Sequence, residues 1–220
     1  IYLNEVMEEG RSLHPLEEQR QSVADWRQIG LGIMGLADML IKMELPYDSE
    51  QARQLCEEIG LVMADQALYT SAFLAGHAGS YNNYKSCVQK SRFLKNNTCE
   101  STREAIEAYG LRNSQLLTIA PTGTISTMLG ISGGIEPIFA NSYTRKTESL
   151  HGHDEYYKVY TPIVKEYMDK HGIKDEAELP NWFCTSSTIS PINRVLMQGV
   201  WQKHIDASIS STVNLPEEAT

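Results

Sequence analysis

The stretch Ala120-Pro121-Thr122-Gly123-Thr124-Ile125-Ser126-Thr127-Met128-Leu129-Gly130 gathers the residue types that hold small anions. Pro121 removes one backbone donor and sets a turn. Gly123 lets the main chain approach a ligand with no Cβ in the way. Thr122, Thr124 and Ser126 add hydroxyls that can donate to oxyanions. Directly before them, Leu116-Leu117-Thr118-Ile119-Ala120 is a short continuous apolar run, the pattern of a strand buried on both faces in a parallel sheet. A helix that starts at the carboxyl end of such a strand offers unpaired N–H groups and a partial positive charge. The combination predicts a phosphate cradle over Pro121, Thr122, Gly123, Thr124, Ile125 and Ser126 that needs no lysine. Spacing alone is equally met by a plain strand–turn–helix junction, in which Thr124 and Ser126 cap the helix and Gly123 only turns.

Other residues could carry chemistry. Gly30-Leu31-Gly32-Ile33-Met34-Gly35 satisfies G-x-G-x-x-G, the fingerprint of dinucleotide binding. That fingerprint needs a buried strand in front and an acidic residue about 20 positions on. Ser22 to Gln28 is too polar for a central strand, and Asp48 and Glu50 open a helix. The glycines are therefore read as close helix-packing or turn positions, with a dinucleotide-dependent dehydrogenase using Gly30, Gly32 and Gly35 as the alternative enzyme. His151-Gly152-His153-Asp154 could begin a metal site, but no third ligand cluster accompanies it, so a polar loop is expected. Glu136, in Gly133-Gly134-Ile135-Glu136-Pro137, either braces the loop after the cradle or caps it. Arg145 and Lys146 are read as exposed strand-edge cations. Cys56, Cys87, Cys99 and Cys184 form no C-x-x-C pair and have no His at ligand spacing, so they read as reduced structural thiols and no metal site is expected.

The elements that must position these residues follow from periodicity and caps. Ile1 to Glu9 reads as the middle of an amphipathic helix, with Glu5, Glu8, Glu9, Glu17 and Glu18 on a solvated face, and Arg11 to Trp26 as a polar connector. Asp48-Ser49-Glu50-Gln51 fits a capping box with Asp48 as N-cap. Behind it Leu55, Ile59, Val62, Met63, Phe73 and Leu74 mark one face of a long helix ending near Gly76 and Gly79. Ser101 to Glu104 repeats the box and opens a helix that stops at Gly110. Phe139 to Thr147, Trp182 to Thr188 and Ser211 to Leu215 are strand candidates, and His151 to Tyr160 a loop. Ser190-Pro191 caps a helix carrying Ile192, Val195, Leu196, Val200 and Ile205. Helix and strand alternate, which predicts an α/β fold.

The 220 residues carry 19 Lys plus Arg against 28 Asp plus Glu, a net charge of −9, so non-specific nucleic-acid binding is not expected. The 41% hydrophobic and 21% charged content is that of a globular chain. No run approaches the roughly 18 apolar residues of a membrane helix and no secretory leader opens the sequence, which predicts a cytoplasmic protein. The first segment and the acidic turn after Pro216 both read as interrupted helices, so the 220 residues are expected to be one excised piece of a longer domain, cut at both ends.

Arg27 to Asp38, Leu117 to Ser126, Gly133 to Pro137, Gln202 to Ser210 and Ile209 to Pro216, in this order, closely resemble the large catalytic subunit of ribonucleotide reductase. The resemblance is nearest to the class II, adenosylcobalamin-dependent form. It runs from about residue 26 to 220 and is weaker between about 77 and 110. It implies the later half of a ten-stranded α/β barrel in which a radical reaction replaces the ribose 2′-OH of a ribonucleotide by hydrogen, for deoxyribonucleotide synthesis and DNA replication. The Pro-Thr-Gly-Thr-Ile-Ser loop falls on the family segment that binds the substrate's phosphates, di- or triphosphate alike. The family's thiyl-radical cysteine lies in an Asn-x-Cys-x-Glu segment that does not occur here, and none of the four cysteines falls on a catalytic motif. The resemblance thus implies that this piece is inactive alone and works with the remaining part of the subunit, adenosylcobalamin and a thiol reductant such as thioredoxin, and it admits a homodimer. The non-enzymatic alternative is a barrel half that only docks with a partner chain.

Overall fold

A computed structural model describes residues 1–148, 154–215 and 218. The helices are α1 (Tyr2–Arg11), α2 (Glu17–Trp26), α3 (Leu36–Lys42), α4 (Glu50–Ala78), α5 (Arg92–Asn97), α6 (Glu100–Tyr109), α7 (Gly123–Leu129), α8 (Pro162–His171) and α9 (Pro191–Gln202). Strands β1 (Ser142–Glu148) and β2 (Asp154–Tyr160) pair antiparallel, with Tyr143 opposite Val159 and Arg145 opposite Tyr157. The chain forms two compact units. The first comprises residues 1–32, 55–120 and 199–209, the second residues 33–54, 121–198 and 210–220. No helix among the described residues is long and apolar enough to cross a membrane.

In the first unit the apolar run ahead of the cradle is an extended segment with parallel neighbours on both sides. Leu117 bridges Leu31, and Ile119 bridges Ile209, both in parallel sense. Leu116, Leu117 and Ile119 are buried, as a two-faced position requires. Asp206 starts the run by accepting the amides of Leu116 and Leu117 at 2.9 and 2.7 Å. The pairing consists of isolated bridges, and the third partner is Ile209, not the Ser211 to Leu215 segment expected as a strand.

Gly30 and Gly32 flank that first bridge. A Cβ on Gly30 would stand 2.6 Å from the Thr118 methyl, and one on Gly32 only 2.4 Å from the Thr118 carbonyl oxygen. They are sites of close approach between extended segments, not between helices.

The segment expected to be a connector, Arg11 to Trp26, contains α2, which ends with Arg27 in the left-handed region at φ 44°. A buried polar network holds this end. Asn113 donates to the Arg27 carbonyl at 2.8 Å and exchanges amide hydrogen bonds with Asn4, while the Arg27 guanidinium pairs with Glu8. Glu8 is exposed, as expected of a solvated face, and from there it anchors the buried Arg27. The Arg27 hydrogen bond holds its carboxyl below the usual glutamate range.

Helix α4 has the predicted length but a different face and cap. Ser49, not Asp48, receives the Ala52 amide at 3.1 Å. The stripe buried in the first unit is Cys56, Gly60, Ala64, Leu68, Ala72 and Ala75, while Val62 and Phe73 are exposed. Small residues at a four-residue spacing allow close packing, seen at Gly60, whose Cβ would stand 2.7 Å from the His204 ring. Helix α6 likewise begins two residues early, at N-cap Cys99, with Ser101 already inside it.

The second unit is built on Ala37 and Ile41 of α3, Ile163, Val164 and Met168 of α8, and Ile138 and Phe183. Of the predicted strands, Trp182 to Thr188 makes one parallel bridge, Thr185 to Ile138. β1 covers most of Phe139 to Thr147, but its partner β2 runs through the segment expected as a loop. His151 and His153 lie outside the described residues. Ser190 caps α9 by accepting the Asn193 amide at 3.2 Å. Its buried face is Arg194, Met197 and Trp201, whereas Ile192, Val195 and Leu196, expected inside, are exposed.

Two outcomes follow for the full-length protein. Gly32→Ala should destabilise by about 1–3 kcal/mol, because a backbone carbonyl cannot step aside, and Gly30→Ala by less, since a methyl can rotate. Denaturant unfolding of the two variants checks the order. Glu8 contributes stability that is complete above the ordinary glutamate pKa and fades as pH falls through its lowered folded value. Glu8→Gln should lower Tm at neutral pH and flatten the acid limb of the Tm–pH curve.

Candidate functional site

The cradle segment opens α7 in the second unit. Thr122 stands at its N-cap in the left-handed region, φ 52°, with no side-chain cap bond. Its hydroxyl oxygen instead accepts the Gly134 amide at 2.8 Å. The first amide drawn into the helix is that of Ser126, bonded to the Thr122 carbonyl at 2.9 Å. The amides of Gly123, Thr124 and Ile125 have no acceptor among the described residues, and such orphan donors are what an anion completes.

Beside them opens a cleft of about 720 Å³. Gly123 and Ser126 line it, with Thr127, Gly133, Glu136 and Thr212 among the other walls. Pro121, Thr122, Thr124 and Ile125 are not part of its lining. Gly123 is exposed and has nothing within 4 Å of where a Cβ would sit. Thr124 is exposed and its hydroxyl has no partner among the described residues. Ser126 is buried, and its hydroxyl donates to the Gly123 carbonyl at 3.2 Å, a carbonyl that Thr127 also caps at 2.7 Å. Ser126 thus serves the loop more than a ligand, and Thr127, missed by the sequence reading, shares that task.

The far side of the loop is pinned by a clasp. Ser132 accepts the Ala37 amide on its hydroxyl at 3.2 Å and donates its own amide to buried Asp38 at 2.7 Å, while Gly35 donates to the Ser132 carbonyl at 2.8 Å. Gly35, at φ 78°, is the N-cap of α3. The helix start that a dinucleotide would need is therefore filled by the chain's own serine, and this removes the dehydrogenase alternative.

Glu136 is a brace. One carboxylate oxygen accepts the Thr212 amide at 2.8 Å and the other receives Arg194 at 2.7 Å. Arg194, Tyr47, Ser211 and Thr212 were not anticipated as site residues. The available signal was a lone arginine within the apolar helix Ile192 to Val200, which had to find a buried acceptor. With Arg194 neutralised by Glu136, the described lining contains no Lys, Arg or His. Nor does it contain a cysteine. Cys56 is buried and its thiol pushed up to about 12 by desolvation, Cys184 is raised by burial too, and Cys99, at the start of α6, is lowered by hydrogen bonds from Ser101 and Thr102.

Residues 1–220 match, over their whole length, the family described as ribonucleotide reductase, barrel domain. The chain belongs to this family. It is 32% identical, over all of its length, to a vitamin B12-dependent ribonucleoside-diphosphate reductase of Thermoplasma acidophilum, and 31% identical to the protein of that name from Mycobacterium tuberculosis. It spans 28% and 31% of those proteins' lengths. The alpha subunit of the class Id ribonucleotide reductase of Actinobacillus ureae superposes with a TM-score of 0.67 at 21% identity, covering 93% of this chain and 37% of that one, which shows a shared fold. The barrel domain is α/β, as expected, with helices predominating among the described residues.

The glycines of the cleft differ in how closely they are packed. A Cβ on Gly133 would meet the Pro121 carbonyl at 2.7 Å, whereas one on Gly123 meets nothing. Gly133→Ala should lower Tm by several degrees, since about 1 kcal/mol moves a domain of this size by about 2–4 °C. Gly123→Ala should leave Tm unchanged. Thermal melts of both variants check this.

Proposed function

We propose that this barrel domain holds the substrate's phosphates in a ribonucleotide reductase that converts ribonucleotides to 2′-deoxyribonucleotides by a radical mechanism. The observation that carries this reading is the set of three unspent amides at Gly123, Thr124 and Ile125, beside a cleft with no cation. A di- or triphosphate brings its own charge, and hydrogen bonds from neutral donors to a charged acceptor contribute about 1.5–3 kcal/mol each. The loop that the family resemblance assigns to phosphate is the loop whose amides are free.

In the whole enzyme the domain would form the later half of a ten-stranded barrel. Positioning is its share of the work. With the phosphates fixed on α7, the ribose is presented to a cysteinyl radical supplied from elsewhere in the subunit, consistent with a cleft lining that lacks thiols. Reducing cysteines, a thiol reductant such as thioredoxin, and a dimeric, cytoplasmic setting belong to the same proposal. Adenosylcobalamin enters it through the relatives named as B12-dependent. The described lining of the cleft fits that group poorly, since it offers no imidazole to hold the cobalt.

The test uses the full-length enzyme. Thr124→Ala should raise KM for the ribonucleotide by about 10–150-fold, the loss of one charge-assisted hydrogen bond, and Gly123→Ala should raise it through lost close approach, while the radical still forms. Unchanged KM in both variants would sink the assignment.

A further inference from the structure

Arg194 lies on the inward face of α9 with 2% of its side chain exposed, and it is not part of the cleft lining. All of its N–H groups are engaged. Nε donates to the Thr212 carbonyl at 3.1 Å, and Nη2 to the Ser211 hydroxyl and to Glu136, both at 2.7 Å. Nη1 donates to the Tyr47 hydroxyl and, at 3.4 Å, to the Ile135 carbonyl, which Tyr47 also reaches at 2.6 Å. Glu136 in turn accepts the Thr212 amide. Thr212 is thus gripped by its carbonyl from Arg194 and by its amide from Glu136.

These contacts fix two walls at once. Glu136 and Thr212 line the cleft, on segments 76 positions apart in the chain. One residue before the Ile135 carbonyl, Gly134 donates its amide to Thr122, the N-cap whose conformation aims the free amides, and Gly133 abuts the Pro121 carbonyl. The path from guanidinium to Thr122 is short and made of hydrogen bonds and backbone contact. A lysine cannot replace this fork, since an ammonium has three donors and no fixed plane.

We propose that Arg194 is a positioning residue for the phosphate cleft: with Glu136 it fixes the Gly133–Gly134 turn against Thr122 and ties Thr212 to the same frame. Nucleotide affinity then depends on a guanidinium that never touches the nucleotide. This rests on the phosphate reading of Gly123 to Ser126, which it deepens.

The experiment uses the full-length enzyme, with ribonucleotide as substrate and inorganic pyrophosphate as a competitive probe. Arg194→Lys, Arg194→Met, Glu136→Gln and the double variant Arg194→Met/Glu136→Gln are compared with Thr124→Ala. Expected are a KM and a pyrophosphate inhibition constant raised about tenfold or more in Arg194→Lys, with kcat at saturation within about threefold of the parent. Glu136→Gln, nearly isosteric and expected to fold, should move both constants in the same direction, and the double variant should be no worse than Arg194→Met, because the two residues act as one unit. A purely structural Arg194 would instead lower Tm and the active fraction, cutting Vmax while KM and the pyrophosphate constant stay at parental values. That result, with Thr124→Ala still raising KM, overturns this inference alone. If Thr124→Ala is also silent, the phosphate reading falls with it.

Discussion

A buried guanidinium is an expensive group to keep, and the second unit is arranged around keeping this one. Removing an ion from water costs several kcal/mol even after relaxation, and a pair recovers that only with good geometry and every remaining donor satisfied. Arg194 meets both conditions through Glu136, Tyr47, Ile135, Ser211 and Thr212. The constraint works in reverse as well. Because an unmatched N–H here is costly, the segments that supply the acceptors cannot drift independently. Two stretches of loop, which would otherwise be the least determined parts of the unit, inherit the rigidity of α9.

Much of the scaffold was legible because it rests on local rules. The apolar run Leu116 to Ala120, the length of α4, the Ser190 cap and the cradle's place after a buried extended segment follow from periodicity, capping and turn chemistry. What failed was the choice of face. On α4 the sequence was read by its large apolar residues, yet close packing selected Cys56, Gly60, Ala64, Ala72 and Ala75. On α9 the arginine faces inward and Ile192, Val195 and Leu196 outward. Both errors share one cause. Hydrophobicity ranks residues by their gain from burial, whereas tight contacts and buried ion pairs are decided by shape and by the partner, and the partners Glu136 and His204 lie far away in sequence.

β2 escaped for a related reason. Its residues Tyr156, Tyr157 and Lys158 are exposed, so no apolar alternation marks it as half-buried. Tyrosine and valine still favour the pleated backbone, and pairing with β1 supplies the hydrogen bonds. In the same way G-x-G-x-x-G was legible as a requirement for glycine but not for what approaches it. At Gly32 the intruder is the Thr118 carbonyl, and at Gly35 a positive φ at the start of α3.

The charge of the chain bears on how such a cleft can hold an anion. A net charge of −9 opposes the approach of a polyphosphate, but at physiological salt that repulsion is screened over about 8 Å. Inside the cleft, near-range dipoles dominate. The Glu136 charge is matched by Arg194, so that wall is close to neutral, and the described lining holds no other carboxylate. Neutralising that carboxylate from behind, rather than placing a cation in front, keeps the lining free of a strong point charge. An anion beside such a wall would be located by the direction of N–H groups and not by simple attraction.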